Sequence, residues 1–289
     1  MKKVLITGST GFIARNLSSY LKDNYGHSVT LLSVRGDDWR SVDFSEFDCV
    51  VHTAALVHKK EKDHTLDEYI SINCDLAFDV AKKAKDEGVK HFVFFSSMSV
   101  YRAKQSLFNK NIISSQTTLE PITKYGKSKL KAEERLSELV DSNFIISFIR
   151  PPFTYGKGCD GNYKKLRALI LKYKFSPKFK NKRSMIYITN LCEFVSVVIN
   201  NGISGVLIPQ NNEYSSTEDL AYLIAKYNNT RIISTSLLNP LIKVASLFIP
   251  SLGRAFSTMY YEKELSLMDG YDYCIVPFEE SIKETEDKS

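Results

Sequence analysis

Short apolar runs alternate with amphipathic stretches along the first half of the chain. Continuous apolar or β-branched residues predict buried strands at 4–7, 29–34, 49–53, 92–95 and 144–149. Apolar positions at helical spacing predict helices at 14–25, 66–87 and 127–139. Strands that alternate with helices predict an α/β fold with a doubly wound parallel sheet. All its strands would end at one edge of the sheet, where ligands bind in such folds.

The alternation becomes irregular in the second half of the chain. Segments rich in Tyr, Asn and Lys separate helices predicted at 164–173, 190–200 and 216–227. The chain therefore divides into a first domain over 1–155 and a smaller part over 156–289, some segments of which return to the first domain.

One stretch of the second half, residues 237–249, is strongly apolar. It contains Pro240 and Lys243 and ends before Pro250, so it is shorter than the ~20 residues that span a bilayer. We expect an amphipathic helix that packs over the core or the active site. Contact with a membrane surface is the alternative, and no integral membrane segment is expected.

The composition is that of a globular protein, with 43% hydrophobic and 25% charged residues. The net charge of +6 comes without a basic stripe interleaved with aromatic residues, so nucleic-acid binding is not expected. The five cysteines are scattered without a CxxC pair, which argues against a metal site or disulfide framework and is typical of reduced cytoplasmic thiols. The N-terminal apolar run stops at Thr7 and Gly8, too early for a secretory signal.

A glycine-rich turn follows the first predicted strand and opens the first predicted helix. Gly8 permits the tight turn, Gly11 lets the backbone approach a pyrophosphate, and Ala14 allows close packing of the helix on the sheet. Amides at the helix N-terminus then face the phosphate charge. The first domain is therefore interpreted as a Rossmann-type dinucleotide-binding domain and the smaller part as mainly substrate-binding. The residues expected to bind the cofactor in this turn are Gly8, Ser9, Thr10, Gly11, Phe12 and Ile13.

The end of the second predicted strand indicates which dinucleotide is used. NAD-binding proteins usually carry an acidic residue there for the ribose 2′-hydroxyl. Here Ser33 and Arg35 stand at this point, and no carboxylate follows until Asp37. Ser33 and Arg35 suit a 2′-phosphate, so NADP is favoured over NAD, with Arg35 as an ordinary solvated charge as the alternative.

Further motifs lie in order along the first 200 residues. The glycine turn is followed by DCVVHTAA at 48–55, FSSMSVY at 95–101, YGKSK at 125–129, RPPFTYG at 150–156 and RSMIY at 183–187. With these motifs the chain resembles the extended short-chain dehydrogenases/reductases, the NAD-dependent epimerase/dehydratase family. Within that family it is similar to bacterial surface-polysaccharide members that act on UDP-sugars. The resemblance implies a cytoplasmic, homodimeric NAD(P)-dependent oxidoreductase without a metal, acting on a nucleotide sugar.

Three residues of these motifs are the expected catalytic set. Hydride transfer at a sugar carbon requires a proton to move to or from the sugar oxygen, and Tyr125 is the candidate acid/base. Lys129 lies one helical turn later, where its ammonium can favour the phenolate; the resemblance implies that it also holds the nicotinamide ribose. Ser97 ends a buried strand and can hydrogen-bond the reacting oxygen.

Other site residues are implied by the resemblance alone. Arg183 would meet the substrate diphosphate or nucleotide, with Asn162 nearby, and each could equally be structural. His58 is a candidate substrate contact or a surface histidine. Besides the glycine turn, Ser33 and Arg35, the residues expected at the cofactor are Asp43 near the adenine, Ala54, Ala55, Asn73, Ser96, Tyr125, Lys129 and Pro152.

The motifs also reduce the number of candidate reactions. Sugar 4,6-dehydratases of this family carry an Asp-Glu pair where this chain has Met98 and Ser99, and relatives that epimerise at C3 and C5 carry a Cys at the position of Ser99. Hydride transfer at C4 remains, either as a 4-keto sugar reductase, which Ser33 and Arg35 favour, or as a 4-epimerase with retained NAD. A non-catalytic dinucleotide-sensing module is a remote third alternative, because such proteins have lost the tyrosine.

Overall fold

The computed structural model describes residues 1–57, 63–102, 106–237 and 239–287. Within them lies a sheet of six parallel strands. In spatial order the strands are β10 (Gly205–Leu207), β6 (Ile145–Ile149), β4 (His91–Phe95), β3 (Cys49–His52), β1 (Lys3–Thr7) and β2 (Ser28–Leu32). The chain runs from β1 outward to β2 and then returns to the other side of β1 as β3. The strand order therefore reverses between β1 and β3, which is where a doubly wound sheet binds its ligands.

The helices of the described residues cover both faces of this sheet or lie beside it. They are α1 (Phe12–Tyr25), α2 (Leu66–Ile70), α3 (Leu76–Asp86), α4 (Lys124–Ser137), α5 (Asn162–Tyr173), α6 (Ile188–Asn201), α7 (Thr217–Tyr227), α8 (Asn239–Ala245), α9 (Pro250–Phe256) and α10 (Phe278–Glu286). A π-helical turn at Ser71–Asp75 joins α2 to α3, so the helix predicted at 66–87 is present with an interruption.

In the part of the chain that the structure describes, three further pairs of parallel strands lie outside the main sheet. They are β5 (Lys110–Ile113) with β12 (Thr258–Tyr261), β7 (Phe153–Tyr155) with β9 (Met185–Tyr187), and β8 (Phe175–Pro177) with β11 (Ile233–Thr235). Each pair joins segments that are distant in sequence, and two of them tie residues beyond 230 to earlier parts of the chain.

The core has one layer on each face of the sheet. Val4 and Ile6 point to the layer beneath α1 and α6, whereas Leu5 between them points to the layer beneath α3 and α4. This alternation along β1 is the strand period of two, with both faces buried as expected for a parallel sheet. The doubly wound α/β fold predicted from the sequence is confirmed. Because β10 belongs to this sheet and α6 packs on it, the second part of the chain returns to the first. The boundary near residue 155 remains a prediction.

The prediction for residues 237–249 is wrong in one respect. The segment does form a helix, α8, but that helix has no buried residue and its apolar side chains face outward. Leu237, Leu241 and Phe248 are 86%, 67% and 80% exposed. The segment follows β11, and none of its described side chains belongs to the buried core. Among the described residues, no helix combines the length and apolar character needed to cross a bilayer.

Candidate active site

The glycine turn lies at the reversal point of the sheet, directly after β1. Gly8 has φ of 87°, a left-handed conformation that favours glycine, and its amide donates to the Leu32 carbonyl at 3.1 Å. A Cβ added to Gly8 would lie 2.8 Å from the Ala54 amide nitrogen and from Thr53 Oγ1. The turn therefore packs so tightly on the segment after β3 that no side chain fits at this position.

The start of α1 suits an anion. Gly11 is the N-cap residue and supplies no side chain to the first-turn amides, and the first turn contains no acidic residue. Such an N-terminus attracts negative charge through its amides and the helix dipole. Ser9, Thr10, Phe12 and Ile13 form this turn, in half-buried or exposed positions. The glycine cradle and the open amides therefore fit the pyrophosphate of a dinucleotide.

The region beyond β2 carries the residues expected at the adenosine ribose. Ser33 and Arg35 are exposed, and the Arg35 amide donates to Ser33 Oγ at 3.4 Å. Asp43, expected near the adenine, instead accepts hydrogen bonds from the amide and hydroxyl of Ser45 at 2.8 and 2.6 Å. These bonds lower the pKa of Asp43, the Ser45 hydroxyl contributing most. Its role at the adenine remains a prediction.

Ser97 stands just beyond the carboxyl end of β4. It is the N-cap residue of the short 3-10 turn at Met98–Val100, and its Oγ accepts from the Ser99 amide at 3.1 Å. The same hydroxyl donates to Ser99 Oγ at 3.2 Å. The cap fixes Ser97 in a half-buried position at the sheet edge, as the sequence predicted.

Tyr125 reaches Ser97 because α4 begins very close to this turn. Thr123 caps α4 by accepting from the Gly126 amide at 3.0 Å. A Cβ on Gly126 would lie 2.2 Å from the Ser99 carbonyl oxygen, so only glycine permits this approach. Gly126 was not singled out from the sequence, although its position inside the YGKSK motif next to Tyr125 is a signal that could have been used.

The phenol of Tyr125 lies near enough to the Ser97 side chain for the two to influence each other. Burial raises the pKa of Tyr125 to about 12, the Ser97 hydrogen bond acts in the opposite direction, and Tyr69 adds to the rise. The phenol is therefore protonated at neutral pH in this structure.

Lys129 is buried beneath the site. Its Nζ donates to the Phe95 carbonyl oxygen at 2.7 Å and lies 4.5 Å from the centre of the Phe94 ring. Burial lowers the pKa of Lys129 to about 7, whereas the nearby Glu133 raises it. Lys129 was expected to favour the phenolate of Tyr125. In this structure its amine donates to a strand carbonyl and the pKa of the phenol is raised. The effect of Lys129 on the phenolate therefore remains a prediction.

Asn73 joins the two sides of the site. From the π-helical turn its Oδ1 accepts from the Leu56 amide at 2.6 Å, and its Nδ2 donates to Ser128 Oγ at 3.0 Å. The Ser128 hydroxyl in turn donates to the Tyr125 carbonyl at 2.8 Å. Asn73, expected at the cofactor, thus positions both α4 and the segment that contains Ala54 and Ala55. His58 lies outside the described residues.

A buried ion pair below the site was missed in the sequence. Glu133 accepts from Arg150 Nε at 3.0 Å and also from Arg150 Nη2, while Arg150 Nη1 donates to Tyr101 Oη at 2.8 Å. The Ser96 hydroxyl donates to the same Glu133. The side chain of Ser96 therefore points into the core, and the cofactor contact expected of Ser96 remains a prediction. Glu133 follows Lys129 by one helical turn, which is the signal that could have revealed it.

His52 is a second buried polar group that the sequence did not reveal. Its Nδ1 lies 2.8 Å from Thr7 Oγ1, and its ring stacks on Phe92 and Phe94. Burial lowers the pKa of His52 to about 3, and the charge of Lys129 adds to this. His52 is therefore neutral at physiological pH, so it adds no second positive charge beside Lys129.

The residues expected to bind the substrate, Arg183 and Asn162, lie on different segments of the chain. Arg183 Nη1 donates to the Ala255 carbonyl at 2.9 Å, and withdrawal of the guanidinium from solvent lowers its pKa to about 10. Within the described ranges no carboxylate forms an ion pair with Arg183. Asn162 is the exposed first residue of α5. Pro152 is buried after β6, and its cofactor contact, like both substrate contacts, remains a prediction.

The fold and the site together define a class of protein. A doubly wound parallel sheet, a glycine turn at the reversal point, and Ser97, Tyr125 and Lys129 at the strand ends are those of an extended short-chain dehydrogenase/reductase. The model of the NAD dependent epimerase/dehydratase family matches residues 4–207. The chain belongs to this family, and the resemblance seen in the sequence motifs is confirmed.

Two sequence relatives extend this comparison. UDP-glucose 4-epimerase of Vibrio cholerae is 35% identical over 222 residues, which cover 68% of this chain and 66% of that protein. N-acetyl-alpha-D-glucosaminyl-diphospho-ditrans,octacis-undecaprenol 4-epimerase of Escherichia coli O157:H7 is 28% identical over 220 residues, covering 70% and 64%. The match thus spans just under two thirds of the length of each relative.

Solved structures share the fold over nearly the whole chain. UDP-glucuronic acid 4-epimerase from Bacillus cereus in complex with NAD has a TM-score of 0.75 at 18% identity, covering 98% of this chain and 95% of that chain. A dTDP-4-dehydrorhamnose reductase from Clostridium acetobutylicum also has a TM-score of 0.75 at 18% identity, covering 98% of both chains. At this identity the likeness shows the fold alone.

Proposed function

We propose that the chain is an NAD(P)-dependent enzyme that acts at C4 of a sugar carried on a diphosphate, in the first place a nucleotide sugar. The observation that carries this proposal is that α4 begins against the Ser97–Ser99 turn, which places Tyr125 beside Ser97 at the same sheet edge as the glycine turn. The names of both sequence relatives describe 4-epimerases of diphosphate-linked sugars. A bound dinucleotide supplies the hydride acceptor and donor.

The residues of the chain handle the proton at the sugar oxygen. With its raised pKa, Tyr125 keeps its proton at neutral pH and can donate it to a C4 oxygen that gains charge. In the reverse direction the phenol must accept a proton, which a nearby cation favours. Lys129 is the candidate cation, and with its pKa near 7 it is partly protonated at neutral pH. Ser97 Oγ is the second hydrogen-bond partner of the sugar oxygen.

The diphosphate of the substrate is assigned to Arg183. The guanidinium of Arg183 is withdrawn from solvent and has a carbonyl as its hydrogen-bond partner. A ligand that brings negative charge would therefore form a strong, charge-assisted hydrogen bond with it. The two relatives share a diphosphate and differ in what it is attached to, so this contact serves either kind of sugar carrier.

Epimerisation at C4 is the activity we put first. Ser33 and Arg35 favour the reductase, but the names of the sequence relatives favour a 4-epimerase, and those relatives are the more similar proteins. The test is to denature freshly purified protein, identify any released dinucleotide by mass spectrometry, and incubate the native protein with UDP-glucose and UDP-N-acetylglucosamine. We expect released NAD and the appearance of the C4 epimer of one of these sugars.

The opposite result supports the second candidate, a 4-keto sugar reductase. Arg35 is exposed, and in the described part of the chain it forms no ion pair, so it is free for a 2′-phosphate. Protein without bound dinucleotide that binds NADPH at least ~10-fold more tightly than NADH would overturn the epimerase assignment. Arg35→Ala would then remove that preference and leave NADH binding unchanged, whereas Lys127→Ala, another exposed cation, would change neither.

A further inference from the structure

Two segments of the chain contain no acidic residue. Residues 161–192 and 229–261 carry twelve of the 39 Lys and Arg residues and none of the 33 Asp and Glu residues. The whole chain has a net charge of +6, so the rest of the molecule has a net charge of −6. A separation of charge this complete along two long segments concentrates positive potential wherever they meet.

The fold brings these two segments together. They pair as β8 and β11, where the Lys178 amide donates to the Thr235 carbonyl at 3.0 Å. The Asn239 side chain, at the start of α8, donates to the Lys178 carbonyl at 2.6 Å. Further along, the Phe179 and Phe256 rings are 5.0 Å apart. The acid-free segments therefore form one continuous unit of structure.

An exposed apolar row crosses this unit. Leu241, Val244 and Phe248 are spaced by three and four residues, which places them on one side of α8 and of the turn that continues it, and Leu237 stands shortly before α8. The Ile249 amide still donates to the Ala245 carbonyl at 2.9 Å, so helical geometry persists to the end of the row. All four side chains are exposed.

Exposed cations lie in the same acid-free segments as the row. They are Lys174, Lys178, Arg231 and Lys243, and none of them has an ion pair within the described ranges. We propose that this α8 face, the apolar row with these four cations, binds the surface of an anionic lipid bilayer. Apolar side chains inserted at the headgroup boundary and cations above anionic lipids are the two attractions that hold a helix on a membrane surface.

A bilayer fits this face better than a second copy of the chain. A twofold contact would set the α8 face against itself and place its cations opposite one another without an acidic residue to pair with them. The apolar side chains also protrude from a short helix, a shape that suits insertion among lipids. The inference concerns a surface apart from Ser97, Tyr125 and Lys129 and does not depend on the proposed reaction.

The test is flotation of the full-length protein with lipid vesicles in the absence of substrate. Vesicles of phosphatidylcholine are compared with vesicles in which about 30% is phosphatidylglycerol, a proportion in the range of natural anionic surfaces. We expect the protein to float with the anionic vesicles and to be released at high salt, since the attraction of exposed charges is screened. Binding to phosphatidylcholine alone should be at least ~10-fold weaker.

Variants separate the two attractions. Leu241→Glu with Phe248→Glu should abolish flotation, and Lys174→Ala with Lys178→Ala should weaken it by about fivefold for each lysine. Leu267→Glu is the matched control, because Leu267 is 75% exposed and lies outside the acid-free segments. All these positions are exposed, so thermal unfolding should be unchanged in every variant.

Three results would overturn the proposal. The first is wild-type protein that does not float with anionic vesicles, and the second is flotation that survives Leu241→Glu with Phe248→Glu. The third is sedimentation of a lipid-free dimer that the same variant converts to monomer, which would make the α8 face a contact between copies of the chain.

Discussion

Burial changes the two central side chains in opposite ways. It raises the pKa of Tyr125 to about 12 and lowers that of Lys129 to about 7, and in each case it favours the uncharged form. At pH 7 the Tyr125 phenol is therefore uncharged and holds the transferable proton, whereas Lys129 is only partly protonated.

Removal of this proton tests the assignment of Tyr125. Tyr125→Phe should lower turnover by about 10²–10⁴-fold, the usual contribution of general acid–base catalysis, while dinucleotide binding and thermal unfolding stay close to wild type. Tyr222→Phe, which alters an exposed tyrosine on α7, is the control. Wild-type turnover in Tyr125→Phe would disprove the acid/base role.

Lys129 should leave a signature in stability against pH. Its folded pKa of about 7 is lower than the ordinary value of 10.5, so between these values the unfolded chain binds more protons and stability rises with pH. From pH 7.0 to 8.5 this rise is about 1–2 kcal/mol in the free energy of unfolding. The pKa values of His52 and His91, lowered to about 3 and 4, act only below pH 6.5.

The measurement is chemical unfolding at the two pH values in wild type, Lys129→Met and Lys127→Met. The rise should be present in wild type and in Lys127→Met, whose lysine is exposed, and absent in Lys129→Met. An equal rise in all three proteins would show that Lys129 does not have a lowered pKa.

At the scale of single residues, the sequence predicted where the site residues lie in the fold better than it predicted the direction of their side chains. Ser97, Tyr125 and Lys129 lie at one edge of the sheet because each follows a strand or begins a helix that the apolar pattern predicts. The inward turn of the Ser96 hydroxyl onto Glu133 depends on a contact 37 residues away. No local pattern encodes such a contact, so it could not be predicted.

Among the elements, α4 is positioned by its first turn. Gly126→Ala would force a methyl group onto the Ser99 carbonyl, separating Tyr125 from Ser97. We expect a loss of about 1–3 kcal/mol in stability, as for overpacked cores, and a loss of turnover larger than the unfolded fraction explains. Lys127→Ala on the same helix is the control. Normal turnover in Gly126→Ala would mean that α4 can shift without harm to the site.

Element boundaries show what the apolar pattern can and cannot predict. The helix predicted at 127–139 begins at Lys124, because Thr123 caps it and the polar first turn carries no apolar signal. The π-helical turn at Ser71–Asp75 leaves the apolar spacing nearly unchanged and was invisible for that reason. The three- and four-residue strands outside the main sheet are too short for alternation to distinguish them from loops.

For the whole molecule, the sheet could be predicted from local sequence patterns, whereas the exposure of the α8 face could not. Each βαβ unit carries its own apolar pattern, so the doubly wound topology is the sum of local predictions. Whether the apolar residues of 237–249 are covered depends on what lies opposite them after folding, which their own spacing does not reveal. The homodimer, the cytoplasmic location and the two-part division of the chain remain predictions, of which sedimentation tests the first.

The acid-free segments should also affect how the protein binds to ion-exchange resins. Near its isoelectric point of about 8.8 the chain has no net charge, yet the acid-free segments are still cationic and the remainder of the chain anionic. We expect the protein to be retained at this pH by a sulfonate cation-exchange resin, bound through one side in a single orientation. A protein with evenly mixed charge would pass through such a column at its isoelectric point, so the elution volume alone reports the asymmetry.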